Sequence, residues 1–373
     1  MNSLFKTMLA VTLAIFGNTA ATGQQNSQEI GISKNGRVEF KEIKEKKWFQ
    51  ELTDRIKLHG YAQGGYNYSH QGGTNTNSFN LKRVIFWVEG QITDRWSCLF
   101  MHNFSGSVLE YYTTYRITKN KALNVRIGQF KNGLSIEGPL SCSYLEAVDL
   151  YSEGVNYLTG CSSDPLYGTQ TGRDLGLSLF GETNNSKFRY ELNVMNGQGV
   201  NKKDGNNFKD IIARLEYRPL EGLNIVTSGQ LGRGHNILAD GKTSVYNPTI
   251  LNGQDYKRHR LTAGADYRSK ATKVRSEYLA GWDGDAHSWG AYITSAIPLG
   301  TPKLELIASY DFFNYNTSHN MAQHKAVGGL QYWFYKRCRM QVQYVYKNAF
   351  IKDNQFIHGA NHGIQCQMQV RFN

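Results

Sequence analysis

The sequence predicts an all-β protein, a transmembrane antiparallel β-barrel of about 16 strands, and three observations carry that expectation. Strand-length stretches alternate apolar and polar residues. At the C-terminus Ile364, Cys366, Met368, Val370 and Phe372 interleave with Gln365, Gln367, Gln369 and Arg371, and a period of two gives a strand one dry and one wet face. The connections between these stretches alternate in length, short then long, as in barrels with short inner turns and longer outer loops. Lastly, after residue 20 no run approaches the roughly 18 apolar residues of a spanning helix. Mean hydropathy is −0.50, and 23 tyrosines, 38 glycines and only 6 prolines suit strands and polar loops.

The elements follow in chain order. Residues 1–23 open with MNSLFKTMLAVTLAIFG, a lysine-bearing start and an apolar run, then the small residues of NTAATG. That is the pattern of a secretory signal peptide cleaved between Ala20 and Gln24. No cysteine follows the cleavage region, so no lipoprotein anchor is expected. Residues 24–55 are charged and read as a periplasmic segment, with a short helix expected in EFKEIKEKKWFQELTDRI, where Phe40, Ile43, Trp48, Leu52 and Ile56 fall loosely on one side. It either plugs the barrel or merely leads into it.

The barrel is expected over 56–373. Alternating runs are predicted at 57–68, 80–92, 96–104, 108–117, 123–130, 173–181, 187–195, 210–218, 223–231, 258–268, 273–281, 288–297, 303–313, 324–335, 337–346 and 362–372. Short turns such as TDR, ETNNS and PLEG sit between long connections such as SHQGGTNTNS, 131–172, DGDAH (283–287) and KNAFIKDNQFIHGAN. Only Ser105-Gly106 is short where a long loop is due. In KFRYELNV, Phe188, Tyr190, Leu192 and Val194 share one face, and Lys187, Arg189, Glu191 and Asn193 the other. An arginine turned to the mid-bilayer costs roughly 2 to 4 kcal/mol, so the charged faces point inward and the lumen is wet.

Four stretches, GYAQGGY (60–66), FNLKRVIFWVEGQITDRW (79–96), VRIGQFKNGLSIE (125–137) and NGQGVNKKDGNNFKDIIARLEYRP (196–219), resemble the phosphate-selective porin O and P family. The resemblance spans essentially the whole barrel. It implies a sixteen-stranded outer-membrane porin, a homotrimer in outer-membrane lipid, whose inward-folded third outer loop narrows the channel. The longest connection, 131–172, sits in that place.

The formal charge is +12, and one lysine, Lys6, leaves with the signal peptide. Alternation puts Arg83, Arg116, Arg126, Arg189, Arg214, Arg268, Arg275, Arg339 and Arg371 on lumen faces. At ~7 Å through water each attracts a unit anion by roughly 0.6 kcal/mol, and several in series give the shallow multi-site path that conduction requires. The expected function is passive diffusion of small anions, phosphate or polyphosphate by the resemblance. A weakly selective general porin is the alternative, because lumen glutamates and aspartates offer the arginines partners. The constriction loop departs from a phosphate-selective pattern: it carries Glu137, Glu146, Asp149, Glu153 and Asp164 against few bases, chiefly Lys131 and Arg173 at its ends. If those acids face the lumen they set up a transverse field. If they anchor the loop to the wall, phosphate selectivity survives.

Cys98, Cys338 and Cys366 fall on the dry face as small apolar residues. Cys142 and Cys161 lie together in the long loop, where a disulfide could form in an exported protein. His319, His324, His358 and His362 cluster in outer loops, but without a nucleophile elbow or metal-ligand spacing. No catalysis, metal, cofactor or nucleic-acid partner is expected. An adhesin or receptor working through the outer loops is the remaining class.

Overall fold

The computed structural model describes residues 28–32, 38–42, 54–148, 151–161, 163–164, 166, 168–169, 171–239 and 242–372. The chain divides into two compact units, Met1–Arg55 and Ile56–Asn373. In the first, Gln28–Ile32 pairs antiparallel with Val38–Glu42. The helix expected to begin at Glu39 is therefore replaced, over its first residues, by a strand whose alternation from Val38 to Lys41 already had a period of two. Most of the remainder of that stretch, and the whole signal-peptide region, lie outside the described residues.

The second unit is a closed barrel of sixteen strands, each paired antiparallel with its chain neighbour and the last with the first. They are β1 (Ile56–Gln71), β2 (Thr74–Thr93), β3 (Trp96–Asn103), β4 (Val108–Arg116), β5 (Asn124–Lys131), β6 (Arg173–Glu182), β7 (Phe188–Met195) and β8 (Asp210–Tyr217). The circuit continues with β9 (Leu223–His235), β10 (Asp255–Arg268), β11 (Lys273–Asp283), β12 (Ala286–Pro298), β13 (Leu304–Asn314), β14 (Ala322–Tyr335), β15 (Cys338–Lys352) and β16 (Gln355–Phe372). Closure pairs every strand with a neighbour on both sides, although the ends of the longest strands, such as residues 74–84 of β2 beside the shorter β3, run on beyond one neighbour. The outward parity is apolar all round: Phe188, Tyr190, Leu192 and Val194 of β7 are each about two-fifths exposed, while Asn193 between them is sealed inside. Among the described residues no helix is long and apolar enough to cross a membrane.

Three of the expected long loops are instead strand. Gly72 and Gly73, both at positive φ, turn β1 into β2, and Asp353 and Asn354 do the same between β15 and β16. Two consecutive left-handed residues make the tight turn whose twist matches paired strands. The polar residues of SHQGGTNTNS and KNAFIKDNQFIHGAN thus extend the ladder, and β1, β2, β15 and β16 form a tall wall. Between β11 and β12 only Gly284 and Asp285 remain unpaired. Opposite, β3 to β8 have only eight to ten residues each.

Residues 132–172 leave β5 at the long-loop end and fold back into the lumen. Among their described residues the one helix, α1 (Glu153–Thr159), starts at Ser152, whose side chain accepts from the Val155 N–H, and stops at Gly160, which has φ 66°. Those two caps satisfy the ends that a seven-residue helix otherwise leaves open. Val155, Tyr157 and Leu158 pack with Leu145, Leu279, Tyr292, Phe313 and Tyr315. Gly281 of β11 permits this approach: a Cβ there would lie 2.3 Å from the Leu158 side chain.

Candidate functional site: the lumen and its constriction

The loop does not hang in the middle of the barrel but lies against one side of it, and its acids are what hold it there. Arg275 of β11, 2 % exposed as a side chain, donates from Nη1 to Glu137 Oε1 and Glu146 Oε2, each at 3.1 Å. Glu137 Oε2 also accepts from the Ser152 N–H at 2.9 Å. Glu277 beside it accepts from Ser135 Oγ, the Ile136 N–H and Tyr292 Oη, all near 3.0 Å. Glu137 and Glu146 thus share one guanidinium, whose Nε also reaches Asp266 Oδ1 at 3.3 Å, and Glu277 lies beside them on its own donors. Burial raises the Glu137 carboxyl to about 7, outweighing Arg275, with Glu146 and Glu277 adding to the rise.

A second anchor holds α1. Glu153 takes Lys325 Nζ at 3.0 Å, Lys347 Nζ at 2.8 Å and Tyr315 Oη at 2.8 Å. Burial alone would raise its carboxyl, yet the two ammonium groups hold it well below the usual range. Backbone carbonyls complete the seat. Arg339 Nη2 donates to Leu145 O at 2.7 Å, Gln341 and Gln343 to Glu146 O, and Arg214 Nη1 to Gly133 O at 3.1 Å. Gln369, fully buried, donates to Ser143 O.

The lumen face of β16 is accordingly drier than its alternation implies. Gln367 and Gln369 point inward but are covered by the loop and bonded to Gln341 and Ser143. Arg214, Arg275 and Arg339, expected on a water-filled path, are spent on seating the loop. Arg268 pairs with Asp266 at 2.8 Å near the short-turn rim. Asp149 lies outside the described residues.

Between the loop and the wall of β1 to β7 lies a cavity of about 490 Å³, and the charge that lines it is mostly of one sign. Lys82, Arg83, Arg126, Lys131, Arg173, Arg189 and Arg371 line it, against Glu110 and Glu191. Arg173 is paired with Glu110 at 2.8 Å. Lys131 donates to the carbonyls of Gly138 and Leu140, closing the start of the loop on itself. Arg83 donates to Gln63 Oε1 at 2.7 Å. Arg371 donates to Ser143 Oγ at 2.6 Å and lies over the rings of Tyr144, 4.7 Å away, and Trp87, 5.6 Å away. Arg126 is held differently. Tyr112 and Phe180 each stand 4.6 Å from its guanidinium and Phe130 5.3 Å, contacts that fix a cation without using its N–H donors. Arg189 reaches from this cavity into a smaller opening of about 240 Å³ toward the short turns, shared with Arg116, Lys121 and Glu182.

Lys82 was not singled out by alternation, and the reason is local. The ladder pairs Gln63 with Arg83 but Gly64 with Leu81, leaving Lys82 as an extra residue in β2. Such a bulge shifts parity by one. Both Lys82 and Arg83 therefore line the cavity, while Leu81 and Phe79 turn outward, 67 % and 86 % exposed. The signal was in the sequence, as NLKRVIF places two bases where strict alternation allows one.

Cys142 and Cys161 both border the cavity, and each is a free thiol, not half of a bridge. Cys142 Sγ contacts Tyr151 Oη at 3.4 Å, and Cys161 accepts from Thr159 Oγ1 at 3.0 Å. Burial pushes the Cys161 thiol up.

No family model matches the sequence, and none of the curated proteins does. Solved structures match in fold. An anion-selective porin from Comamonas acidovorans aligns at TM-score 0.61 and 13 % identity, over 85 % of this chain and 99 % of its own. The outer-membrane channel DcaP of Acinetobacter baumannii aligns at 0.57 and 13 %, over 84 % and 97 %. The trimer form of OmpT, an outer-membrane protein of Vibrio cholerae, aligns at 0.57 and 13 %, over 85 % and 100 %. The chain has the fold of outer-membrane porins, while no family match supports the narrower resemblance to the phosphate-selective kind.

Proposed function

We propose that this chain is an outer-membrane porin through which small anions diffuse passively, with the short turns in the periplasm and the long connections outside. One observation carries the reading: the open cavity is lined by seven bases and two acids, because the described glutamates of the constriction loop are turned to the wall. A general porin's transverse field needs those carboxylates facing the bases across the passage, and Glu137, Glu146 and Glu153 do not do so. The apolar outer face suits a bilayer, where a charged side chain at mid-depth costs roughly 2 to 4 kcal/mol. The low wall favours a homotrimer. A spanning strand needs about 9 to 11 residues, and β3, β5, β7 and β8 have eight, a deficit that a neighbouring copy would cover. Export by residues 1–23 fits the same setting.

Phosphate is the solute that the family resemblance implies. The test is the reversal potential of the purified protein in a planar bilayer under a KCl gradient, repeated with phosphate added. Anion selectivity is expected, and chloride current blocked by low phosphate would carry the phosphate reading. Zero or cation selectivity would overturn the anion channel and leave a general porin.

A further inference from the structure

The wall that carries the bases also carries a patch of apolar side chains, which a path for inorganic ions does not need. Tyr61, Ile85, Trp87 and Leu109 form a cluster on the lumen face of β1, β2 and β4, with Met101 packed against it, and all five border the cavity. Each is at least nine-tenths covered except Met101, and their shared border with open space is that cavity. The alternation rule for a water-filled barrel puts polar residues at these inward positions. Ile85 and Trp87 instead continue inward from Arg83 along β2. Two of the cavity's guanidiniums are held by ring faces and not by acids: Arg371 over Trp87 and Tyr144, and Arg126 among three rings. Tyr144 faces this space from the loop, 42 % exposed.

We infer that the passage is a binding site for monovalent organic anions with a flat apolar body, of which an aromatic carboxylate is the type, in preference to inorganic phosphate. The carboxylate would take the N–H edge of Arg371 or Arg126, while the ring lies along Trp87 and Ile85. Phosphate held by the same guanidinium would turn part of its surface to the apolar cluster. Its oxygens facing the apolar shelf would lose water without gaining a partner, the situation that a polar group tolerates least. The size agrees: about 490 Å³ falls in the range of roughly 300 to 1,000 Å³ that holds small organic ligands, several times what one small inorganic anion fills.

This inference rests on the anion-channel reading, and the experiment separates the two. Single-channel chloride current of the full-length protein is titrated with benzoate, acetate and inorganic phosphate at fixed ionic strength. Benzoate is expected to block at concentrations about tenfold lower than acetate or phosphate. Trp87→Ala and, as a milder change, Ile85→Asn are expected to bring the benzoate and acetate curves together, with heat-modifiable gel mobility reporting that each barrel is folded. An anion-selective channel in which benzoate blocks no better than acetate overturns the organic-anion site and leaves the anion channel standing, as does a benzoate preference that persists in both folded variants. A channel without anion selectivity overturns both.

Discussion

Replacing Arg126 with glutamine should lower the anion preference of the channel by about eightfold without changing the barrel. The guanidinium stands among three rings with neither carboxylate nor carbonyl among its contacts, so its charge is directed at whatever passes. An anion about 7 Å away in water gains about 0.6 kcal/mol and a cation loses as much. The anion-to-cation permeability ratio therefore falls by about 1.2 kcal/mol, close to one decade, and by more where protein walls exclude water. The assay is reversal potential across a tenfold KCl gradient at low total salt, since screening extends only about 10 Å at 0.1 M and shortens to about 3 Å at 1 M. The shift toward zero potential should shrink as salt rises. An Arg126→Gln channel with normal conductance and unchanged reversal potential at low salt would refute the reasoning, because it would put the conducting path somewhere other than this cavity.

Arg275→Met leaves Glu137 and Glu146 without their shared cation and should cost about 3 to 5 kcal/mol of stability, read as a lower thermal midpoint in detergent and noisier single-channel current. An unaltered midpoint and quiet current would deny the loop its anchor there. The Glu137 carboxyl, raised by burial to about 7, binds a proton more tightly folded than unfolded. Its contribution is complete below the ordinary glutamate value and is lost as pH rises toward 7. Wild-type protein should thus lose stability between pH 5 and pH 8 relative to Glu137→Gln, and parallel pH profiles for the two would contradict this. Cys142 and Cys161 should both be recovered as thiols by non-reducing peptide mapping. An anionic methanethiosulfonate reagent should label Cys142 first and lower the current, since burial holds the Cys161 thiol protonated.

The period of two made the barrel legible because lipid and lumen are opposed environments that adjacent residues cannot share. It therefore located strands such as Phe188–Met195 nearly to the residue. It failed where length is set by turn geometry. Asp353-Asn354 reads as polar loop, yet two left-handed residues let β15 and β16 run on past the apolar band. The bulge at Lys82 failed for a related cause: one extra residue resets the parity of everything before it, and only the cross-strand ladder reveals the slip. In the N-terminal segment Val38–Glu42 is a strand where the start of a helix was expected, because the short alternation from Val38 to Lys41 was outweighed by a longer, looser helical pattern.

The roles of the individual arginines were the least legible part, since alternation says which way a side chain points and nothing of what meets it there. Arg126, Arg214, Arg275 and Arg339 all point inward. The difference between them is made by residues 132–172, which bring carbonyls to Arg214 and Arg339 and carboxylates to Arg275 but turn none of these groups to Arg126. A guanidinium that donates to the loop is a fastener, and one held only by rings keeps its donors for a solute. The net charge of +12 therefore overstates the pull on a passing anion, and the sign of selectivity is decided by where the loop lies. Moving the loop by breaking its Arg275 anchor should thus change selectivity as well as stability. Arg275→Met releases Glu137 and Glu146 toward the passage, so its reversal potential should shift in the same direction as that of Arg126→Gln. A loop that loosens with no loss of anion preference would show that those carboxylates stay at the wall without their partner.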